Sequence, residues 1–479
     1  MDIPTLFITF ILSAMVIAIT LSNWRYGLLA IIPIGLLQDV LRKLTPGVPS
    51  LYIVWSALLF AVVVLVVMST CSLDKRLLWF NDQGLKNAFS LFFLLVLLQA
   101  INGLVRWGQP AVPVLGLLFY LGPVAALLTM IIYGRHPIWI HRFIMTYLWV
   151  MVPACLTVYL SLWFQSSIPV LREIGEFVGQ RLVIYDVGKV LYSYAGLFRV
   201  GEIAAFHAAT SAAFLIMLIM KKKQALPAQI GMAVLVALLI GAILLTGRRK
   251  MLMALSIFLV VQFFLSGFMR RGVSRAVVSF LVLGLTVSMA IGFLGTGQSS
   301  PYLQRGKTVF SSVEERVITA VDLLTWAVKR SDGIGLGAGV ASQGARYAGV
   351  DNFKEVGGAS ESGIGYLAIE LGLPGIAIVS WLIYYLLRTL WSKLRFVARL
   401  NDDLFLYASS FVSLLVANLA TFSVATQLYG DFFVLIILGM IAGMLYATIY
   451  HAAILQKKQY QKKIGNAPSS IFRGKHAHC

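Results

Sequence analysis

The chain of 479 residues is 59% hydrophobic and only 12% charged, whereas an average soluble domain is roughly 45–50% apolar and 25% charged. One soluble core cannot absorb that much apolar side chain, so lipid must solvate most of it, which excludes a soluble enzyme, a disordered chain and a disulfide scaffold. The net charge of +20 is what basic cytoplasmic loops give a polytopic membrane protein, and no nucleic-acid partner is expected.

At about 20 residues per span, the apolar runs predict about thirteen transmembrane helices. They fall at 3–21, 27–40, 51–68, 88–105, 111–133 and 143–163, then at 201–220, 227–245, 251–269, 277–294, 363–390, 405–422 and 432–450. The second run is short for a span. The first four residues carry an acid and no basic stretch, so no cleavable signal peptide is expected. The fold class is an all-α polytopic integral membrane protein. Residues 1–163 and 201–294 form N-terminal and central helices, 362–450 C-terminal helices, and 451–479 a basic cytoplasmic tail. Two outward loops, 164–200 and 295–361, are expected to carry amphipathic helices. In the second, Val313, Val317, Val321, Leu324 and Val328 recur at helical spacing opposite Glu314, Glu315, Arg316 and Asp322. Basic loops such as Lys75/Arg76/Lys86, Arg135/Arg142 and Lys393/Arg395/Arg399 follow alternate spans, which places the N-terminus outside and the C-terminus inside. No internal repeat and no matched pair of broken helices is visible, which weakens a transporter.

Cys71, Cys155 and Cys479 form no framework, and the six histidines form no HExxH-like pair, so neither a metal site nor a cofactor is expected. Arg248-Arg249-Lys250 is the unusual basic feature. It sits in a tight turn between two spans on the outward side, against the insertion bias, where a misplaced arginine costs about 2.5–3.5 kcal/mol deep in the bilayer. The bland alternative is a snorkelling anchor at a helix end; the functional one is a phosphate site, because arginine offers a planar fork to phosphate oxygens. Arg199 precedes a span carrying Glu202 and His207. An Arg199–Glu202 pair on one helix face is the structural expectation, and His207 is expected to be a hydrogen-bonded bundle residue. The glycine-rich run from Gly333 to Gly339 follows no strand, so a flexible turn near the membrane surface is expected rather than a dinucleotide loop. Glu361 enters the next span, where the helix dipole favours a carboxylate cap. Glu370 lies more than two turns deeper and is expected to pair with an arginine.

The run Ser360-Glu361-Ser362-Gly363 through Glu370-Leu371-Gly372-Leu373-Pro374-Gly375 resembles the C-terminal signature of the O-antigen ligase and polysaccharide polymerase superfamily, "HN…L…ELGLPG". Glu361 takes the position of the family's His and Ser362 that of its Asn. Leu245-Thr246-Gly247-Arg248-Arg249-Lys250 resembles that family's "LTGSRG" turn, with Arg249 on its Arg, Arg248 in place of its Ser and Lys250 in place of its Gly. Phe198-Arg199-Val200-Gly201 and the Gly333–Gly339 run are similar to two looser elements. The similarity covers about the C-terminal 280 residues. It implies a membrane glycosyltransferase that needs no metal and takes its glycan from an undecaprenyl-pyrophosphate-type carrier on the outer leaflet of the bacterial inner membrane. Arg249, helped by Arg248, Lys250 and Arg199, would hold the pyrophosphate and stabilise its growing charge. Glu361 would accept the proton of the acceptor hydroxyl, on a glycan or a lipid. A carboxylate there has an unperturbed pKa near 4.3, so its efficiency would depend on partial desolvation. The His-to-Glu departure favours an O-antigen or exopolysaccharide polymerase over a ligase, working beside other polysaccharide-assembly proteins. A transporter or flippase of anionic lipid-linked sugar is the alternative from another class.

Overall fold

The computed structural model describes residues 3–71, 83–178, 183–186, 189–221, 225–269, 301–302, 313–342, 345, 350, 356 and 361–464. Among them run thirteen α-helices: α1 (Ile3–Ser22), α2 (Trp24–Leu44), α3 (Tyr52–Thr70), α4 (Gln83–Trp107), α5 (Ala111–Tyr133), α6 (Pro137–Phe164), α7 (Gly201–Ile219), α8 (Leu226–Leu245), α9 (Arg249–Met269), α10 (Val313–Arg330), α11 (Gly363–Leu400), α12 (Asp402–Val424) and α13 (Phe432–Ile464). All but α2 and α10 are long and apolar enough to cross a membrane, eleven among the described residues. The chain is an all-α polytopic membrane protein, the one open-ended architecture that satisfies every backbone amide without water. The expected span at 277–294 lies outside the described residues.

The short second run is part of a longer helix. α2 has 21 residues, and its last turns bury Gln38, Asp39, Arg42 and Lys43 inside the bundle. These polar residues hide it from a hydropathy count. The first long loop also differs from expectation. Its described residues form, instead of an amphipathic helix, two short 3₁₀ turns (Pro169–Leu171 and Ile174–Val178) and a hairpin, β1 (Val183–Asp186) antiparallel to β2 (Lys189–Tyr192). The expected amphipathic helix of the second loop is α10.

α7 is the central helix. Its surface is buried almost all round, and its alanines at 204, 205, 208, 209, 212 and 213 let neighbouring helices approach closely, as small residues do where lipid gives no hydrophobic push. Gly439 and Gly443 on α13 do the same against α5: a Cβ on Gly439 would come within 2.3 Å of the Pro123 carbonyl oxygen, and one on Gly443 within 2.6 Å of that of Leu127. Polar contacts add to the packing. Gln262 of α9 donates to Ser409 Oγ (3.1 Å) and accepts from Ser413 Oγ (3.1 Å) on α12. His207, as expected, is a buried bundle residue, its Nδ1 2.7 Å from the Tyr147 hydroxyl and its ring stacked on Phe198.

Two expectations about the glycine run and Glu370 are corrected together. α11 is broken at Gly372, whose φ of 69° is open to glycine but strained for other residues. The run from Gly333 to Gly339 tucks into this break: Ile334 stays exposed at its entrance, and Gly335 to Gly339 are buried. Leu336 N–H donates to Ile369 O (2.8 Å), Leu373 N–H to Gly333 O (2.9 Å) and Ala338 N–H to Gln99 O (2.9 Å), while the Gln99 amide donates to Ile334 O (2.7 Å). Four positive-φ glycines, at 333, 335, 337 and 339, let the backbone thread between α4, α5 and α11; a Cβ on Gly339 would fall 2.0 Å from Val112 O. Glu370, fully buried, pairs with no arginine among the described residues. It accepts from Tyr120 Oη (2.8 Å) and from the Ala341 N–H (2.8 Å), so it fastens the glycine segment to the bundle. Irregular backbone between spanning helices is tolerated where its N–H and C=O groups find protein partners, as these do on Gln99, Ile369 and Leu373.

Candidate functional site

The basic turn closes the α8–α9 hairpin. α8 ends at Leu245, Gly247 takes φ 70°, and α9 restarts at Arg249. The turn is built on a buried carboxylate. Glu202, in the first turn of α7, lies 3.1 Å from Arg248 Nη1 and 2.8 Å from Lys250 Nζ. An acid in that first turn also faces the positive end of the helix dipole. The expected Arg199–Glu202 pair is therefore not formed. Arg199 reaches away from it: one guanidinium nitrogen lies 3.8 Å from Asp39 Oδ1, another is in close contact with Asp431 Oδ2, and its backbone N–H donates to Asp39 Oδ2 (3.0 Å). Arg199 thus joins the end of α2 to the start of α13, where Asp431 also caps the Val434 N–H (2.9 Å).

The first long loop packs beneath this network. Lys43 Nζ donates to Val170 O (3.0 Å) and Gly196 O (2.8 Å). Glu173 Oε1 accepts from the Gly201 N–H (3.1 Å) and lies 3.1 Å from Ser193 Oγ, itself 3.2 Å from Thr246 O in the basic turn. Glu173 Oε2 is buried with no hydrogen-bond partner among the described residues. Burial pushes the Glu173 carboxyl above its ordinary range, opposed by the Gly201 amide and by Arg248.

Glu361 is exposed, one residue before the helix cap. The cap of α11 is Ser362, whose Oγ accepts from the Gly365 N–H (3.0 Å). Glu361 is held by its backbone: its carbonyl accepts from Thr426 N (3.1 Å), just beyond the end of α12. Gln262 meets Ser409 and Ser413, while Met251, nearer the start of α9, lines one void with Asn418, nearer the end of α12, so the two helices run antiparallel with the start of α9 level with the end of α12. Arg249 and Glu361 therefore lie at the same end of the bundle. A void of about 10 Å³ under the turn, bounded by Thr210, Met251, Phe258 and Asn418 among others, is lined by neither and has room for about one water.

Asp39, Lys43, Glu173 and Asp431 belong to this network and were not singled out in the sequence. Asp39 carried a usable signal, since a carboxylate inside an apolar helix demands a partner. Neither a known family model nor a curated protein sequence matches the chain.

Proposed function

We propose that the chain is a membrane glycosyltransferase that extends or transfers a glycan carried on an undecaprenyl-pyrophosphate-type lipid at the outer leaflet, most simply as a polysaccharide polymerase. The observation that carries this is the Arg248-Arg249-Lys250 turn, set on the buried Glu202 at the same end of the bundle as Glu361. In this proposal Arg249 faces the pyrophosphate and meets the charge that grows as the bond from the anomeric carbon to oxygen breaks. Glu202 holds Arg248 and Lys250 so that their positive field backs Arg249. Arg199, committed to Asp39 and Asp431, is the weaker member of the clamp and acts by positioning. Glu361 accepts the proton of the acceptor hydroxyl as that oxygen attacks the anomeric carbon. Because Glu361 is exposed in the free protein, the bound glycan supplies the desolvation that step needs.

The test is transfer by purified protein on a lipid-pyrophosphate glycan. Arg249→Ala should lower the rate by about 10²–10³, the usual cost of a lost charge-stabilising donor, and Arg249→Lys should rescue poorly because it lacks the fork. Equal activity of Arg249→Ala and the exposed control Lys457→Ala refutes the clamp. In a deletion strain, loss of chain extension on capped lipid identifies a polymerase, and accumulation of long lipid-linked polymer identifies a ligase. A carrier of anionic lipid-linked sugar draws on one observation, the break in α11 beside buried Glu370. Such carriers are expected to break helices in matched pairs, and α11 is the one helix among the described residues with non-helical backbone inside it.

A further inference from the structure

At the far end of the bundle from the basic turn, two arginines share one indole. α6 runs 28 residues from Pro137 to the loop that packs under the turn, so its N-terminus lies about 40 Å away at 1.5 Å per residue. There the Arg25 guanidinium carbon sits 5.5 Å from the Trp139 ring centre and 5.2 Å from that of Trp24. The Arg142 guanidinium carbon sits 4.6 Å from the Trp139 ring centre. Tyr26 and Tyr133 close edge-on against the same indole, at 5.6 and 5.4 Å between ring centres. Arg142 Nη1 reaches the Tyr26 hydroxyl at 3.4 Å.

Cation–π contact uses the face of a guanidinium and leaves its N–H edge for an anion. Among the described residues no carboxylate pairs with Arg25 or Arg142, and Arg25 Nε is buried without a hydrogen-bond partner. The nearby ionisable residues Arg135, His136, His141 and Lys221 add no negative charge. The first turns of α2 and α6 both lie here and neither holds an acid; α2 is capped by Asn23, whose Oδ1 accepts from the Arg25 N–H (3.1 Å), and α6 has no side-chain cap. One uncapped positive helix end, that of α6, and two planar forks thus meet at this site.

The surroundings say what kind of anion. Leu21, Tyr26 and Ile138 are exposed at 67%, 48% and 56%, on the outer surface of a bundle whose exposed apolar residues face lipid. Tryptophan and tyrosine are the residues of the membrane–water boundary. We infer that Arg25, Arg142 and Trp139 form a phosphate site for the headgroup of an anionic phospholipid in the leaflet opposite the basic turn, with its acyl chains against Leu21 and Ile138. The site is independent of the transferase proposal.

Native mass spectrometry of the purified full chain with phosphatidylglycerol or phosphatidylcholine tests it. The wild type should retain phosphatidylglycerol preferentially. Arg25→Gln with Arg142→Gln should weaken that retention about 25-fold, since each basic residue near a lipid surface contributes about fivefold, while Lys457→Gln should leave it unchanged. Each single variant should lose about fivefold, which keeps the test readable if the double variant accumulates poorly. Displacement of the lipid by millimolar inorganic phosphate would assign the site to phosphate from either source; resistance would assign it to the lipid. Retention of phosphatidylglycerol by both single variants at the wild-type level, or no preference over phosphatidylcholine in the wild type, overturns the inference.

Discussion

Replacing Glu202 by Gln keeps the side-chain shape and removes the one carboxylate that Arg248 and Lys250 share at 3.1 and 2.8 Å. Each charge-assisted contact is worth about 1.5–3 kcal/mol, and stripping one partner from a buried ion pair costs about 3–5 kcal/mol because the other charge is left in a dry site. Here the cations are not sealed: the Arg248 and Lys250 side chains keep 16% and 10% of their surface. They can turn partly to water, so the expected loss is about 2–4 kcal/mol, toward the lower end of those two ranges. The assay is thermal unfolding in detergent at fixed scan rate, with a double-mutant cycle. Glu202→Gln should lower the unfolding temperature clearly. Combined with Lys250→Met it should show a coupling of about 1–2 kcal/mol. An unchanged unfolding temperature, or zero coupling in the cycle, would refute the idea that the basic turn is built on Glu202.

Gly339→Ala should cost about 3 kcal/mol or more, from strain at φ 93° plus overlap with Val112 O, read as loss of monodisperse protein on size-exclusion chromatography. Glu173 is predicted to make stability depend on pH. Its folded pKa lies above the ordinary 4.5, so the folded state holds the proton more tightly and stability should fall as pH rises from about 4.5 through the raised value; Glu173→Gln should flatten that slope, and an unchanged slope in unfolding temperature against pH counts against it. Glu361→Gln should leave protein level and donor binding near wild type while transfer drops about 10²–10³, within the range for a positioned base. Glu361→His should restore part of the rate with its optimum moved to higher pH, and full activity of Glu361→Gln would leave the clamp as the only chemistry standing.

The sequence by itself determined the solvent, the helical class and most of the spans. Those follow from composition and run length, because a backbone in lipid must satisfy its hydrogen bonds within its own helix. It also located the turn at Arg248–Lys250, since three adjacent cations between two apolar spans stand out without any fold. It could not determine partners. Spacing on one helix suggested that Arg199 would meet Glu202, yet the bundle brings Asp39 and Asp431 to Arg199 from far along the chain and leaves Glu202 to the basic turn. The same holds for Glu370, which reads as an acid in want of an arginine and finds instead a tyrosine and a backbone amide on a segment that only the break at Gly372 allows inside. α2 was understated because buried polar residues lower hydropathy while tertiary contacts satisfy them. Local pattern fixes how each segment meets lipid. Which charges neutralise one another is decided by long-range packing, because at these separations only the folded bundle sets the distance between them.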